Sequence, residues 1–197
     1  MKGEQLNKVL DTLTLLVDTR EHETAEYKRR LREIGLPHER QALSYGDYSA
    51  KCKLPNGEWY SLKDKFVIER KMSLEEVCGN FTTHRDRFKA EFERAKADGA
   101  RIVLLVENGT WACIYTGRYA VKVKPASFIA SILAFEARYN THVHFVDKPL
   151  SPYLIRDILY YTMREHLLNL EVNNEQLRSL RSGEEKDSGE RPDPETV

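Results

Sequence analysis

Phe66-Val67-Ile68-Glu69-Arg70-Lys71 opens with three apolar residues and closes with three consecutive charges. Its first half is β-prone, and the run predicts a strand over 65–70 with Lys71 at its end. Side chains along a strand alternate between faces, so Val67, Glu69 and Lys71 point one way while Ile68 and Arg70 point the other. Glu69 and Lys71 therefore look into the same space. Three charges are hard to place at the end of an apolar strand unless that end opens on a site, as strand ends commonly do in α/β sheets.

The rest of the chain supplies the sheet to which such a strand belongs. Arg101–Val106 carries Ile-Val-Leu-Leu-Val without a charge, the composition of a strand covered on both faces and central in its sheet. Leu13–Val17 is a further β-prone run and ends at Asp18. A third strand is expected near 39–43. A hairpin is expected over 48–54 and 59–62, because Pro55-Asn56-Gly57 favours the positive φ angles of a tight turn. A short strand is expected at 142–146. Helices are expected over 22–34, from Leu74, over 85–98, 126–138 and 152–169. Gly35 and Gly99 act as stops, and Ser73 with Glu76 forms a capping box. Residues 1–10 read as an unstructured lead-in. The alternation defines an α/β layer architecture, with one folded domain over 11–170 and an acidic, disordered tail over 171–197.

Composition agrees with one domain and a tail. At 197 residues, 41% hydrophobic and 31% charged, the chain is neither collagen-like nor disordered throughout. Its formal charge is zero, but residues 171–197 hold eight acids against four basic residues, leaving residues 1–170 at +4. The three cysteines, Cys52, Cys78 and Cys113, form no C-x-x-C, which argues against a disulfide framework and a zinc site and points to a reducing cytoplasm. The longest apolar run, Phe128–Phe135, spans eight residues, too few for a membrane span, and residues 1–20 lack the order of a signal peptide. There is no internal repeat.

Acidic clusters end three predicted segments: Asp18-Thr19-Arg20-Glu21, Gly46-Asp47 and Glu69-Arg70-Lys71. Asp47 and Glu69 could hold a hard Mg²⁺ or Mn²⁺ ion, with water and phosphate oxygens completing the shell. Lys71 could orient or deprotonate a water, if burial and a metal pull its pKa below about 10.4. Arg20 suits a two-point grip on phosphate oxygens. Alone, each string reads as a solvated ion-pair patch or a turn. The ordered combination favours chemistry.

The three blocks Leu15-Leu16-Val17-Asp18-Thr19-Arg20-Glu21, Ser44-Tyr45-Gly46-Asp47-Tyr48 and Phe66-Val67-Ile68-Glu69-Arg70-Lys71-Met72-Ser73-Leu74-Glu75-Glu76 resemble the nuclease domain of the xeroderma pigmentosum group F type. That family carries the signature G-D-x(n)-E-R-K-x(3)-D and belongs to the restriction-endonuclease-like PD-(D/E)XK superfamily. The resemblance spans about residues 13 to 150. It implies a central mixed sheet flanked by helices and a metal-dependent DNA endonuclease acting on branched, flap or fork DNA. It implies that Asp18, Glu21, Asp47 and Glu69 build the acidic site, with Asp18, Asp47, Glu69 and the main-chain carbonyl of Arg70 on the metal. Lys71 would be the catalytic lysine, and Arg20 and Arg70 complete the signature.

Two departures from the family pattern stand out. The last acid of the signature is Glu75, a longer carboxylate. After residue 120 the only glycines are Gly183 and Gly189, so the Gly-rich turns of a helix-hairpin-helix module are missing and the chain resembles the stand-alone form found in phages and prophages. The DNA grip must then come from the domain itself. Arg85, Arg87 and Lys89, at the entrance of the 85–98 helix, are the candidates, with a solvated helix face as the alternative.

The implied partner is DNA, with a homodimer also implied, although the apolar helices 126–138 and 152–169 could equally be buried within one subunit. A different class, a catalytically silent DNA-binding or scaffold partner, is opposed by retention of Asp18, Asp47, Glu69 and Lys71. The six histidines read as surface or core residues. Trp59 and Trp111 read as packing residues, with a DNA contact left open for Trp59.

Overall fold

The computed structural model describes residues 3–187. Its elements are α1 (Gly3–Leu10), β1 (Thr14–Val17), α2 (Ala25–Ile34), β2 (His38–Arg40), β3 (Tyr48–Lys53), β4 (Trp59–Ser61), β5 (Phe66–Lys71), α3 (Leu74–Phe81), α4 (Arg85–Ala97), β6 (Arg101–Glu107), α5 (Trp111–Tyr115), α6 (Pro125–Tyr139), β7 (Val143–Val146) and, after a 3-10 turn, α7 (Ser151–Asp187). The strands form one mixed sheet in the order β2-β1-β3-β5-β6-β7, with β4 paired to the far part of β3. β3 runs antiparallel to both β1 and β5, whereas β5, β6 and β7 run parallel. The uncharged β6 is an interior strand between β5 and β7, buried from Ile102 to Glu107.

Period-two alternation sorts the sheet into two cores. Leu15, Val17, Tyr48, Ala50, Phe66, Ile68, Val103 and Leu105 pack under α1, α2 and α7. Val67, Ile102, Leu104 and Val106 pack under α3, α4 and α6, where Phe81, Phe88, Phe92 and Phe135 make a continuous aromatic cluster. Phe128, Ile132, Phe135 and Tyr139 of α6 and Ile155, Leu159, Met163 and Leu167 of α7 are buried, so these faces of the two helices are covered within one chain. Among the described residues, no helix is long and apolar enough to cross a membrane.

Three expectations are corrected. Residues 3–10 are helical, because Leu6, Val9 and Leu10 at i, i+3 and i+4 present one apolar stripe to the core beneath α7. The last helix continues to Asp187 instead of ending at 169, through a stretch that contains no proline to stop it. Residues 188–197 of the expected acidic tail lie outside the described residues. Trp59 is exposed, with the Lys51 ammonium 4.6 Å from its ring centroid, whereas Trp111 packs on Phe145.

Candidate active site

The ends of β1 and β5 and the start of β3 meet at one end of the inner strands, and the turn Tyr45-Gly46-Asp47 joins them. Gly46 has φ +70°, and a Cβ there would lie 2.7 Å from Val67 Cγ2. Only glycine combines that angle with so close an approach to β5. Gly46→Ala should therefore destabilise the fold by about 2–4 kcal/mol, from the left-handed backbone and overpacking together. A urea unfolding curve reads this directly.

Asp47 is anchored at three points. Its N–H donates to Ile68 O at 2.8 Å, its carbonyl accepts from Asp18 N at 2.9 Å, and its Oδ2 accepts from Arg70 N at 2.8 Å. On β5, Glu69 and Lys71 face the α4 side together as the alternation predicts, and Lys71 Nζ donates to Glu69 Oε1 at 2.7 Å. Lys71 also lies 3.4 Å from Glu76 and over the Phe88 ring. Burial, then the Glu69 charge, pushes the Asp47 carboxyl well above its ordinary range. Burial likewise raises Glu69, against the opposing pull of Lys71. For Lys71, burial pulls down, but the Glu69 charge and hydrogen bond outweigh it and the net shift is upward. The Glu69 carboxylate thus favours the ammonium form of Lys71.

The other signature residues sit around this centre. Asp18 is buried, and each of its oxygens accepts two hydrogen bonds: Oδ1 from Arg20 N and Nε at 2.7 Å, Oδ2 from Leu43 N at 2.8 Å and Arg20 Nη2 at 3.2 Å. Burial opposes its charge, but these donors prevail and lower its pKa. Asp18 thus clamps the exposed Arg20. Glu21 Oε2 accepts from Tyr48 Oη and Arg30 Nη2, both at 3.1 Å. Arg70 points to the opposite face, where Nη1 bonds Glu107 at 3.0 Å and Nε is buried without a partner. Glu75 Oε1 accepts from Ala120 N at 2.9 Å, holding α3 to the segment before α6.

A cleft of about 260 Å³ opens on Glu69 and Lys71 and is also lined by Glu76, Asn80, His84, Arg87, Phe88 and Glu91. Asn80 Nδ2 is buried there without a partner. The three candidate cations on α4 do not line one cleft. Arg87 lines this cleft, whereas Arg85 and Lys89, one helical turn apart, line a separate groove of about 200 Å³ with Arg138 of α6. Glu91 and Asn80 were not singled out from sequence. The signal for Glu91 was its i, i+4 spacing from Arg87 on one helix face. A wider groove of about 560 Å³ beside β2 has one acid, Glu23, already paired with Arg40.

A mixed sheet flanked by helices, with an acid and a lysine two residues apart at the end of an inner strand, has the restriction-endonuclease-like layout that the motifs implied. The model of the ERCC4 domain matches residues 17–151, and the chain belongs to that family. Among solved structures it is similar to XPF from Aeropyrum pernix, with a TM-score of 0.56 and 20% identity over 86% of this chain and 73% of that one. XPF from the same organism in complex with DNA gives a TM-score of 0.54 and 19% identity over 77% of this chain and 65% of that one. At these identities the likeness is one of fold. A comparison with curated protein sequences gave no match.

Proposed function

We propose that the chain is a divalent-metal-dependent DNA endonuclease that cuts branched DNA such as a flap or fork. The observation that carries this reading is the meeting of two mutually repelling carboxylates, half-buried Asp47 and buried Glu69, beside the buried ammonium of Lys71. Two such acids hold more negative charge than one lysine offsets, and their all-oxygen donor set fits a hard cation. Among the described residues, no three or more His, Cys, Asp or Glu side chains gather closely enough to hold an ion alone. Mg²⁺ or Mn²⁺ keeps several waters and takes one or two carboxylates plus substrate phosphate. Asp47, Glu69 and the main-chain carbonyl of Arg70 would hold the ion, whereas Asp18, the fourth ligand expected from the motifs, has both oxygens engaged by Arg20 and the Leu43 amide and is left out of this set. When bound, the ion would neutralise charge on the reacting phosphate and acidify a water.

The protein's own groups then divide the remaining work. Lys71, charged and fixed by Glu69, orients water and stabilises negative charge on the phosphate. Asp18 acts by holding Arg20 at the rim as a phosphate grip, Glu21 fixes Tyr48 and Arg30 behind the turn, and Arg70 braces β5 through Glu107. Arg87 and the buried Asn80 amide offer donors to a phosphate from the opposite wall of the cleft.

Arg87→Ala should weaken DNA binding and reduce the slope of log affinity against log salt by about 1, measured in EDTA between about 50 and 200 mM salt. Arg85→Ala and Lys89→Ala should weaken binding but leave the single-turnover rate at saturating DNA unchanged. A labelled panel of duplex, single strand, 3′ flap, fork and Holliday junction tests the substrate. Preference for flap or fork supports the reading, equal cutting of plain duplex replaces it with a general DNA nuclease, and binding without cutting supports a silent scaffold.

A further inference from the structure

Glu91 is not one of the signature acids, yet its side chain reaches the turn that carries Asp47. It stands on α4 seven residues after His84 and four after Arg87, so all three line the same cleft. Its Oε1 accepts the main-chain N–H of Gly46 at 3.1 Å, across 45 positions of sequence. Asp47 itself is anchored through its N–H, carbonyl and carboxylate. The Gly46 N–H, the entry to the turn, is held by Glu91. A glycine at φ +70° has backbone freedom that no side chain restrains, so an external anchor matters more here than at another residue.

We propose that Glu91 is a positioning residue that locks the Gly46-Asp47 turn to α4 and so fixes the Asp47 carboxylate for catalysis. The inference rests on the nuclease reading for the word catalysis, but not for the bond itself. The same helix presents Arg87 to the cleft, so the element that would meet a DNA phosphate also holds the catalytic turn. A charge-assisted bond suits this task, being roughly twice as strong as a neutral one.

The test compares wild type, Glu91→Gln and Glu91→Ala under single turnover with Mn²⁺, with DNA affinity measured separately in EDTA. Glu91→Gln keeps an acceptor for the Gly46 N–H, and Glu91→Ala removes it. Glu91→Ala should lose about 10²-fold in rate, the cost of a displaced reacting group, with DNA affinity unchanged. Glu91→Gln should recover about tenfold of that loss, because the neutral bond keeps about half the strength. Equal loss in both variants would overturn the anchor and make the charge itself the working feature. Wild-type rates in both, or a loss of DNA affinity alone, would also overturn it.

Hydrogen exchange of the Gly46 amide in metal-free protein reads the bond without any activity. It should be protected in wild type and Glu91→Gln and exchange at least about tenfold faster in Glu91→Ala. Unchanged exchange refutes the anchor. A wild type that cuts nothing while the amide behaves as expected refutes the nuclease reading and leaves the bond standing.

Discussion

Asp47→Asn gives a folded protein that has lost at least about 10³-fold in metal-dependent cleavage, the rate equivalent of several kcal/mol of lost metal-assisted stabilisation. The substitution is isosteric and keeps an oxygen for the Arg70 amide, so the turn retains its geometry while the negative charge disappears. Stability should move the opposite way. Burial and the Glu69 charge hold the folded pKa of Asp47 above its unfolded value, so the folded state binds more protons between the two. Its contribution is therefore fully favourable below the unfolded value of about 3.9 and is lost as pH rises through the folded one. Metal-free Asp47→Asn should melt above wild type at pH 8, and the two should converge toward acid. Mg²⁺ or Mn²⁺ at 100 times its Kd should stabilise wild type by about 2.7 kcal/mol, roughly 5–10 °C for a chain of this size, and leave Asp47→Asn unmoved. Thermal melts with and without the ion check both signs.

Lys71→Met should lower the single-turnover rate by about 10²–10³-fold, the range for removing one donor aimed at developing charge. Methionine preserves an unbranched apolar stem against Phe88 but strands Glu69, whose buried carboxylate loses its 2.7 Å partner. The single variant should also lose about 3 kcal/mol of stability in denaturant titration, since removing one member of a buried pair leaves the other uncompensated. The double variant Lys71→Met with Glu69→Gln should recover that stability without recovering activity. Lys71→Arg should not rescue cleavage, because a planar fork cannot replace a compact ammonium between Glu69, Glu76 and Phe88. Rescue by arginine would mean that charge alone suffices at this position.

What was legible in the sequence is what local chemistry decides. Alternation placed Glu69 and Lys71 together and Arg70 opposite, as β5 does. Ser73 caps α3 through its hydroxyl, and Gly35 ends α2 in the left-handed conformation. Features set by distant partners were not legible. The α1 stripe has meaning only against a core completed by α7 some 150 positions later. Asp18 and Asp47 look alike in sequence, yet one oxygen set is saturated by Arg20 and Leu43 while the other lies against a second buried acid. The direction of the Lys71 shift depends on a balance between burial and Glu69 that spacing does not weigh. Glu75 bonds Ala120, 45 positions away, and nothing near it in the chain signals that partner. The split of Arg87 from Arg85 and Lys89 was readable in principle, since a 100° step per residue separates neighbours on a helix.

The most direct measurement of the central claim is single-turnover cleavage of an end-labelled 3′ flap by wild type in Mn²⁺, in Mg²⁺ and in EDTA, with Asp47→Asn purified identically alongside. The account predicts cutting with either ion, none in EDTA, and none by the variant. Cutting that persists in EDTA, or equal cutting by wild type and Asp47→Asn, would contradict it.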